Sequence, residues 1–187
     1  MKAKFIKILI ALIVLAITSF NAKSQSDGFR DKETIDAAFM AELINLGFEN
    51  GEYPDVEPGF TITENLIRTE PTSALAPDGS ITQGHVPTDV TTEDVVHASA
   101  LACAASINQL KMAAGGDLSN IRKIANIRYK TLTVKEYFDY IPASNSCSTM
   151  MLRVFGDTAG SHTRHAEGQA TTAGNQTFQI EMLVYLK

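Results

Sequence analysis

Long apolar runs are scarce in this 187-residue sequence. The longest uncharged apolar run, Ile8–Phe20, has 13 residues, fewer than the roughly 20 that a helix needs to cross a bilayer. A basic segment, residues 1–7, precedes it, and residues 22–24 offer small side chains at the −3 and −1 positions of a signal-peptidase site. The pattern predicts a signal peptide over residues 1–24 and a periplasmic or secreted protein that begins near Gln25. An uncleaved N-terminal anchor is the alternative.

Basic residues are scarce once this segment is set aside. Four of the 16 Lys and Arg residues lie within residues 1–24, together with none of the 21 Asp and Glu residues. Residues 25–187 therefore carry 12 basic and 21 acidic side chains, a net charge of −9. Such a surface repels a phosphate backbone, and no basic stripe with interleaved aromatic residues occurs. Nucleic acid is not predicted as a partner, nor is a membrane after signal cleavage.

Groupings of metal-ligating or nucleophilic residues are also missing from the sequence pattern. His162 and His165 lie three residues apart, which puts them on opposite faces of a strand and makes them poor joint ligands. No Ser-His-Asp or Cys-His grouping is visible, and Cys103 and Cys147 fall on predicted helix core faces. No metal and no other cofactor is therefore predicted. Without internal repeats or low-complexity tracts, residues 25–187 suit one domain.

Apolar periodicity predicts a chain of mixed helices and strands. The predicted helices are 31–48, 91–114 and 144–155, and the predicted strands are 60–63, 66–69, 80–86, 121–131, 163–171 and 177–186. Two helices on one face of a mixed six-stranded sheet make an α+β two-layer domain, with 31–48 as an additional N-terminal helix. The other sheet face lacks cover apart from that helix, so oligomerisation through the sheet is predicted.

Arg164 is the residue whose position most directly predicts a binding site. Gly156 ends the preceding helix, a Gly-containing loop follows, and Arg164 then lies at the start of a predicted strand. A guanidinium group there can hold a carboxylate through two parallel hydrogen bonds, which a lysine cannot do as well. A surface arginine at a strand end is the simpler alternative.

The residues around Arg164 also resemble a known family. Asn145-Ser-Cys-Ser-Thr-Met-Met-Leu-Arg-Val-Phe-Gly156, followed by Gly160-Ser-His-Thr-Arg164, resembles the RidA/YjgF family, in the branch labelled endoribonuclease L-PSP or chorismate-mutase-like. The helix end at 43–47, the hairpin at 64–67 and the helix at 91–114 fall in the family's order. The resemblance covers nearly all of the chain after residue 24. It implies a chorismate-mutase-like fold assembled as a homotrimer, with ligand clefts between subunits.

The resemblance also implies an activity and a set of site residues. Family members hydrolyse reactive enamines and imines, such as 2-iminopropanoate and 2-iminobutanoate, to 2-oxo acids and ammonia. Arg164 matches the arginine that anchors the substrate carboxylate, and Asn145 matches a residue that approaches the cleft from the helix. Thr72 ends the segment that matches one wall of the cleft. Gln179 stands where the family has a glutamate that orients the attacking water.

Departures from the family pattern favour binding over turnover. Gln179 can position water but cannot carry a proton, so general acid–base help is lost. Pro71 has no backbone N–H to donate to a ligand, and Glu70 would repel an anion. The leading hypothesis is an exported RidA/YjgF-like protein that binds a small 2-oxo or 2-imino acid. Weakened deaminase activity is part of that hypothesis, so whether the protein is an enzyme stays open.

Two other functions remain as alternatives. One is a non-catalytic family member with a ligand-sensing or structural role. The other is the nuclease that the family label names, against which the net charge of −9 argues.

Cys103 and Cys147 leave a choice that the sequence does not resolve. They lie on the inward faces of two helices that the family packs side by side, so a disulfide can form in an oxidising compartment. Neither their spacing nor their faces fix the short distance that a disulfide needs. A disulfide and two buried free thiols both remain open.

Overall fold

The structure, a computed structural model, describes residues 28–137 and 139–187. The predicted signal peptide, residues 1–24, lies outside the described residues. The helices are α1 (Lys32–Asn45), α2 (Thr92–Ala113) and α3 (Ile141–Gly160). The strands are β1 (Phe60–Thr63), β2 (Leu66–Thr69), β3 (Thr72–Ser73), β4 (Ile121–Leu132), β5 (Thr163–Gln169) and β6 (Phe178–Leu186).

The six strands form one mixed sheet in the order β1-β2-β6-β4-β5, and the short β3 also pairs with β6. All pairings are antiparallel except that of β4 with β5, which is parallel. A parallel pair needs a long crossover, and α3 supplies it. β6 is central, as its largely apolar sequence predicts.

Helices α2 and α3 pack side by side on one face of the sheet and bury its apolar side chains. The side chains of β6 that face them are at most 1% exposed: Phe178, Ile180, Met182 and Val184. Thr91 and Asp94 form a capping box that starts α2, as their sequence predicts. The predicted α+β two-layer domain with a six-stranded mixed sheet is therefore confirmed.

Helix α1 falls within the predicted helix 31–48 and joins the helix layer, because it packs against α2 and α3. The carboxylate of Glu42, which is 7% exposed, accepts two hydrogen bonds from the guanidinium group of Arg153 on α3. The opposite sheet face therefore gains no cover from α1. That face carries Leu183 and Tyr185, which are 37% and 41% exposed, beside the Lys130–Glu181 ion pair.

One predicted strand and the predicted start of one helix were wrong. The predicted strand 80–86 is a loop, because its hydrogen bonds go to different partners: Thr82 O accepts from Thr177, Gly84 N–H donates to Asn175, and Val86 N–H donates to Leu132. The predicted start of α3 at Ser144 is three residues late. Ser144 does not cap the helix but donates its hydroxyl to the carbonyls of Tyr140 and Ile141 in the first turn.

Cys103 on α2 and Cys147 on α3 form a disulfide, with their Cα atoms 5.4 Å apart. Both residues are fully buried where the two helices face each other. The choice between a disulfide and free thiols is therefore decided in favour of the disulfide. The bond ties the helix that leads to Arg164 to the longest helix of the fold.

Candidate functional site

Arg164 lies at the start of β5, on the sheet face that carries the helices. It pairs with Ile127 of β4, whose side chain is buried under α3. The Arg164 side chain is exposed, and its Nη1 donates to Asn145 Oδ1 at 2.7 Å and to Ser148 Oγ at 3.4 Å. Asn145 and Ser148 are three residues apart on α3, so both point toward β5 from one helix face. The structure thus brings Arg164 and Asn145 into contact.

Arg164 has no acidic partner within ion-pair distance among residues 28–137 and 139–187. Arg153, in contrast, is paired with Glu42, and Arg128 with Glu167. A guanidinium group has five N–H donors in a planar fork. The Nη1 contacts leave the rest of the Arg164 fork open to solvent. This arrangement can accept a carboxylate.

A serine, a histidine and a tyrosine form a hydrogen-bond chain directly beside Arg164. The Ser148 Oγ atom lies 3.0 Å from His162 Nε2 and 3.1 Å from the Tyr129 hydroxyl. The His162 Nδ1 atom lies 2.7 Å from the carbonyl oxygen of Gly160. The chain therefore links β4, α3 and the start of β5 at one point.

The Gly160 carbonyl determines the direction of the hydrogen bonds in this chain. A carbonyl oxygen only accepts, so His162 Nδ1 carries a proton and, in the neutral ring, Nε2 is an acceptor. The Ser148 hydroxyl consequently donates to Nε2. Its oxygen is then left to accept from Tyr129 and Arg164. Each hydrogen-bonding group in the chain has a compatible partner.

Burial and nearby positive charge keep His162 neutral at pH 7. Desolvation is the largest cause that lowers the pKa of His162 below 6.5, and the positive charges of Arg164 and Lys123 lower it further. The hydrogen bond to Gly160 opposes them. Burial raises the pKa of Tyr129 to about 12, so its hydroxyl stays protonated.

Ser148 and His162 were not predicted as site residues, because the sequence shows no Ser-His-Asp or Cys-His grouping around them. Two local spacings carry a signal for them. Ser148 lies one helical turn after Asn145, and His162 lies two residues before Arg164, on the same face of the strand. Among the described residues, no group of three or more His, Cys, Asp or Glu side chains could hold a metal ion.

Similarity at the sequence level is limited. No protein-family model matches the chain. Among curated proteins, protein TCP17 of Trypanosoma cruzi is 28% identical over 89 residues, which are 48% of this chain and 56% of TCP17. This chain thus spans little more than half the length of that relative.

Solved structures give a broader match. Protein Atu1372 of Agrobacterium tumefaciens, of unknown function, is 26% identical with a TM-score of 0.73, over 83% of this chain and 98% of its own. A candidate endoribonuclease of Shewanella oneidensis is 24% identical with a TM-score of 0.66, over 78% of this chain and 97% of its own. The chain has the fold of the RidA/YjgF family. The YjgF gene product of E. coli is a more distant neighbour, 16% identical over 72% of this chain and 89% of its own, with a TM-score of 0.48.

Within this RidA/YjgF fold, Gln179 lies on the opposite sheet face from Arg164. Directly paired residues share a face, and successive residues of a strand alternate between faces. Arg164 pairs with Ile127 and Gln179 pairs with Lys130, which is three residues further along β4. Ile127 and Lys130 therefore point to opposite faces. One chain does not bring Arg164 and Gln179 together.

Gln179 is held in place by its neighbours on that face. It is 7% exposed, and its Nε2 donates to Gln176 Oε1 at 2.9 Å. The Ser73 hydroxyl donates to the same oxygen at 2.5 Å. Within one chain, the Gln179 side chain is therefore almost fully covered.

Thr72 is also remote from Arg164 within one chain of the RidA/YjgF fold. It lies in β3, and β6 and β4 separate β3 from β5. Three strand spacings put roughly 14 Å between them. Thr72 lines a pocket of ≈ 210 Å³ with Glu70, Pro71, Tyr53 and Gln109. Glu70 therefore does not lie beside an anion held by Arg164 of the same chain.

Proposed function

We propose that the protein binds a small metabolite that carries a carboxylate, a 2-oxo or 2-imino acid, at Arg164. The supporting observation is the open guanidinium fork of Arg164, which Asn145 orients at 2.7 Å and which no acidic side chain neutralises among the described residues. A carboxylate can replace the water on that fork and gain charge-assisted, bidentate hydrogen bonds. The hydrogen bond to Asn145 already restricts the Arg164 side chain, so the guanidinium group loses little conformational freedom when a ligand binds.

The complete site includes a second copy of the chain. Gln179 and Thr72 do not reach Arg164 of their own chain, and the open sheet face that carries Gln179 also exposes Leu183 and Tyr185. Burial of that face in a homotrimer gives a cleft with Arg164 from one subunit and Gln179 and Thr72 from the next. This arrangement is supported because neither the Arg164 side nor the side with Gln179 and Thr72 forms a complete site within one chain.

Turnover in this cleft is weak. Gln179 positions water but cannot take its proton, and general acid–base catalysis contributes about 10²- to 10⁴-fold. Hydrolysis of imines to 2-oxo acids and ammonia is therefore a residual activity beside binding. A purely ligand-sensing role is the second candidate. It is supported by the same observation, that residue 179 is a glutamine where the family has a glutamate. The net charge of −9 over residues 25–187 argues against a nuclease.

The protein works outside the cytosol. The signal-peptide pattern over residues 1–24 indicates export. The Cys103–Cys147 disulfide supports it independently, because disulfides persist in oxidising compartments and are rare in the cytosol. In the part of the chain that the structure describes, no helix has the length and apolar character needed to span a bilayer.

Replacing Arg164 by alanine tests the binding proposal. Arg164→Ala is expected to weaken binding of 2-oxobutanoate by about 30- to 150-fold, because it removes roughly 2–3 kcal/mol of charge-assisted hydrogen bonding. Isothermal titration calorimetry measures the Kd. The melting temperature and the oligomeric mass stay nearly unchanged, since the Arg164 side chain is exposed.

Arg122→Ala is the matched control for this experiment. Arg122 is an exposed arginine on β4, and its loss removes the same charge from the protein away from the hydrogen-bond chain of Ser148 and His162. Its Kd for 2-oxobutanoate is expected to stay within about twofold of the wild type. Unchanged affinity in Arg164→Ala, or equal losses in both variants, would contradict an Arg164 site.

Replacing Gln179 by glutamate tests the account of weak turnover. Gln179→Glu restores a proton acceptor, so imine hydrolysis is expected to rise, by less than about tenfold because the wall that contains Glu70 and Pro71 is unchanged. The imine is generated in situ by an amino-acid oxidase, and ammonia release is followed. Gln83→Glu, which adds the same charge at an exposed position, should leave the rate unchanged. A wild type as fast as an ordinary family deaminase would overturn the binding-first proposal.

A further inference from the structure

The hydroxyl of Ser148 lies where it can contact a molecule held by Arg164. Ser148 Oγ is 3.4 Å from the Nη1 atom of Arg164. A carboxylate bound to that guanidinium has its oxygens about 2.8 Å from the guanidinium nitrogens. The carbon next to the carboxylate group is two bonds away from those oxygens. A carboxylate that takes the Nη1–Nη2 edge of the guanidinium replaces the long 3.4 Å contact to Ser148, and the carbon that carries the imine or carbonyl group of a 2-imino or 2-oxo acid then lies next to the Ser148 side chain.

His162 is placed to exchange a proton with that hydroxyl. Its Nε2 atom lies 3.0 Å from Ser148 Oγ, within the range for hydrogen bonding and proton transfer. The Gly160 carbonyl, 2.7 Å from Nδ1, fixes both the ring orientation and the tautomer with a free electron pair on Nε2. The lowered pKa of His162 keeps that electron pair available at neutral pH.

Tyr129 donates a hydrogen bond to Ser148 and therefore does not accept the Ser148 proton. Its hydroxyl is 3.1 Å from Ser148 Oγ, and burial raises its pKa to about 12, so it stays protonated and donates. Arg164 is also only a donor. Tyr129 thus occupies one electron pair of Ser148 Oγ, the longer 3.4 Å contact from Arg164 is the one that a water molecule can replace, and His162 Nε2 is the acceptor that remains for the Ser148 proton.

We propose that Ser148 and His162 are the proton-transfer pair of the Arg164 site, with the Ser148 hydroxyl facing the bound molecule and His162 serving as its base. This inference rests on the proposed function, a site for 2-imino and 2-oxo acids at Arg164. The pair accounts for the residual hydrolysis that the site retains although Gln179 cannot accept a proton. Both groups lie on the same sheet face and in the same chain as Arg164.

The reaction is the hydrolysis of a protonated 2-imino acid by one water molecule. Water adds to the C=N carbon, the C=N π electrons move to nitrogen, and one water proton passes through the Ser148 hydroxyl to His162 Nε2. The imidazolium returns that proton to the amine nitrogen. The C–N bond then breaks with its electron pair on nitrogen, the remaining O–H proton goes to the departing ammonia, and a C=O bond forms. The products are a 2-oxo acid and ammonium.

Two substitutions separate proton transfer from binding. Ser148→Ala removes the relay, and His162→Asn removes the base while an amide N–H can still donate to the Gly160 carbonyl. Both are expected to lower imine hydrolysis by about 10²-fold, or to the rate in buffer if that is reached first. The Kd for 2-oxobutanoate is expected to stay within about threefold, since Arg164 is intact. Ser146→Ala and His97→Asn, at neighbouring and exposed positions, serve as matched controls with unchanged rates.

The pH dependence of imine hydrolysis by the wild type tests whether His162 acts as a base, because a purely structural role of His162 would not produce it. Hydrolysis should fall as the pH drops through a pKa below 6.5, because protonation of His162 fills its electron pair. His162 faces Arg164 from β5 and both Lys123 and Tyr129 from β4. Burial raises the pKa of Tyr129 to about 12, so its hydroxyl stays protonated over this range. Ser148 from α3 does not titrate there. The acid limb is expected to be absent in the residual activity of His162→Asn.

The experiments distinguish failure of the Ser148–His162 pair from failure of the Arg164 binding site. Loss of 2-oxobutanoate binding in Ser148→Ala equal to the loss of turnover would make Ser148 a binding group and overturn the pair. Wild type that binds 2-oxobutanoate through Arg164 but hydrolyses imines no faster than buffer, or whose rate does not fall as the pH drops below 6.5, would also overturn it and leave the binding site standing. If Arg164→Ala binds as tightly as the wild type, the proposed function itself fails. The wild-type pH profile decides the question even if a variant does not fold.

Discussion

Removal of the Cys103–Cys147 disulfide is expected to lower the melting temperature by about 5–15 °C. The bond closes a loop with a sequence separation of 44 residues. The chain-entropy treatment assigns such a loop about 4 kcal/mol, and measured contributions are typically 2–4 kcal/mol. For a domain of this size, each kcal/mol corresponds to roughly 2–4 °C. Calorimetry of Cys103→Ala/Cys147→Ala against the oxidised wild type measures the difference.

Reductant provides the matched control for this prediction. Wild type treated with a thiol reductant under denaturing conditions and refolded should melt close to the double variant, whereas the double variant itself should not respond to reductant. Thiol counting on the untreated, denatured protein should give no free thiols. Two free thiols in protein from an oxidising compartment, or equal melting temperatures with and without reductant, would count against a stabilising disulfide.

The disulfide also bears on the candidate site, since Cys147 lies between Asn145 and Ser148 on α3. Its bond to α2 fixes the helix that carries both side chains. The reduced protein is therefore expected to bind 2-oxobutanoate more weakly even below its melting temperature, because ordering α3 then opposes binding.

Much of the fold was predictable because its signals are local. The Thr91–Asp94 capping box and the apolar periodicity after it predict α2, and the apolar run of Phe178–Leu186 predicts a central strand. The loop at residues 80–86 was not predictable from alternation alone. Its backbone groups bond to Asn175, Thr177 and Leu132, which only the tertiary fold brings to that position.

The residues of the candidate site were also predictable only in part. The resemblance to RidA/YjgF proteins pointed to Arg164 and Asn145, which the structure brings within 2.7 Å. Local spacing puts Ser148 one helical turn after Asn145 and His162 two residues before Arg164, but the contact between Ser148 and His162 depends on how α3 packs over β4 and β5. The separation of Gln179 from Arg164 depends on strand register, and a shift of one residue would have put both on the same face.

Gly160→Ala is expected to destabilise the protein by about 1–3 kcal/mol and to displace His162. A Cβ atom at residue 160 would lie 2.5 Å from the carbonyl oxygen of Met151 and 3.0 Å from its carbonyl carbon, closer than atoms can pack. Both are backbone atoms, so no side-chain rotation relieves the clash. The peptide of Gly160 must move, and its carbonyl oxygen is the acceptor that holds His162 Nδ1.

The consequence for His162 gives this substitution a second readout. As the ring leaves its buried position, less desolvation opposes its protonation, so the pKa of His162 is expected to rise toward 6.5. Titration by NMR measures that pKa, and calorimetry measures an expected drop in melting temperature of about 2–10 °C. Gly59→Ala is the matched control, because its Cβ would meet Glu70 Cβ at an ordinary 3.8 Å. A Gly160→Ala protein that melts with the wild type and titrates with the same His162 pKa would show that the carbonyl of Gly160 does not hold the ring.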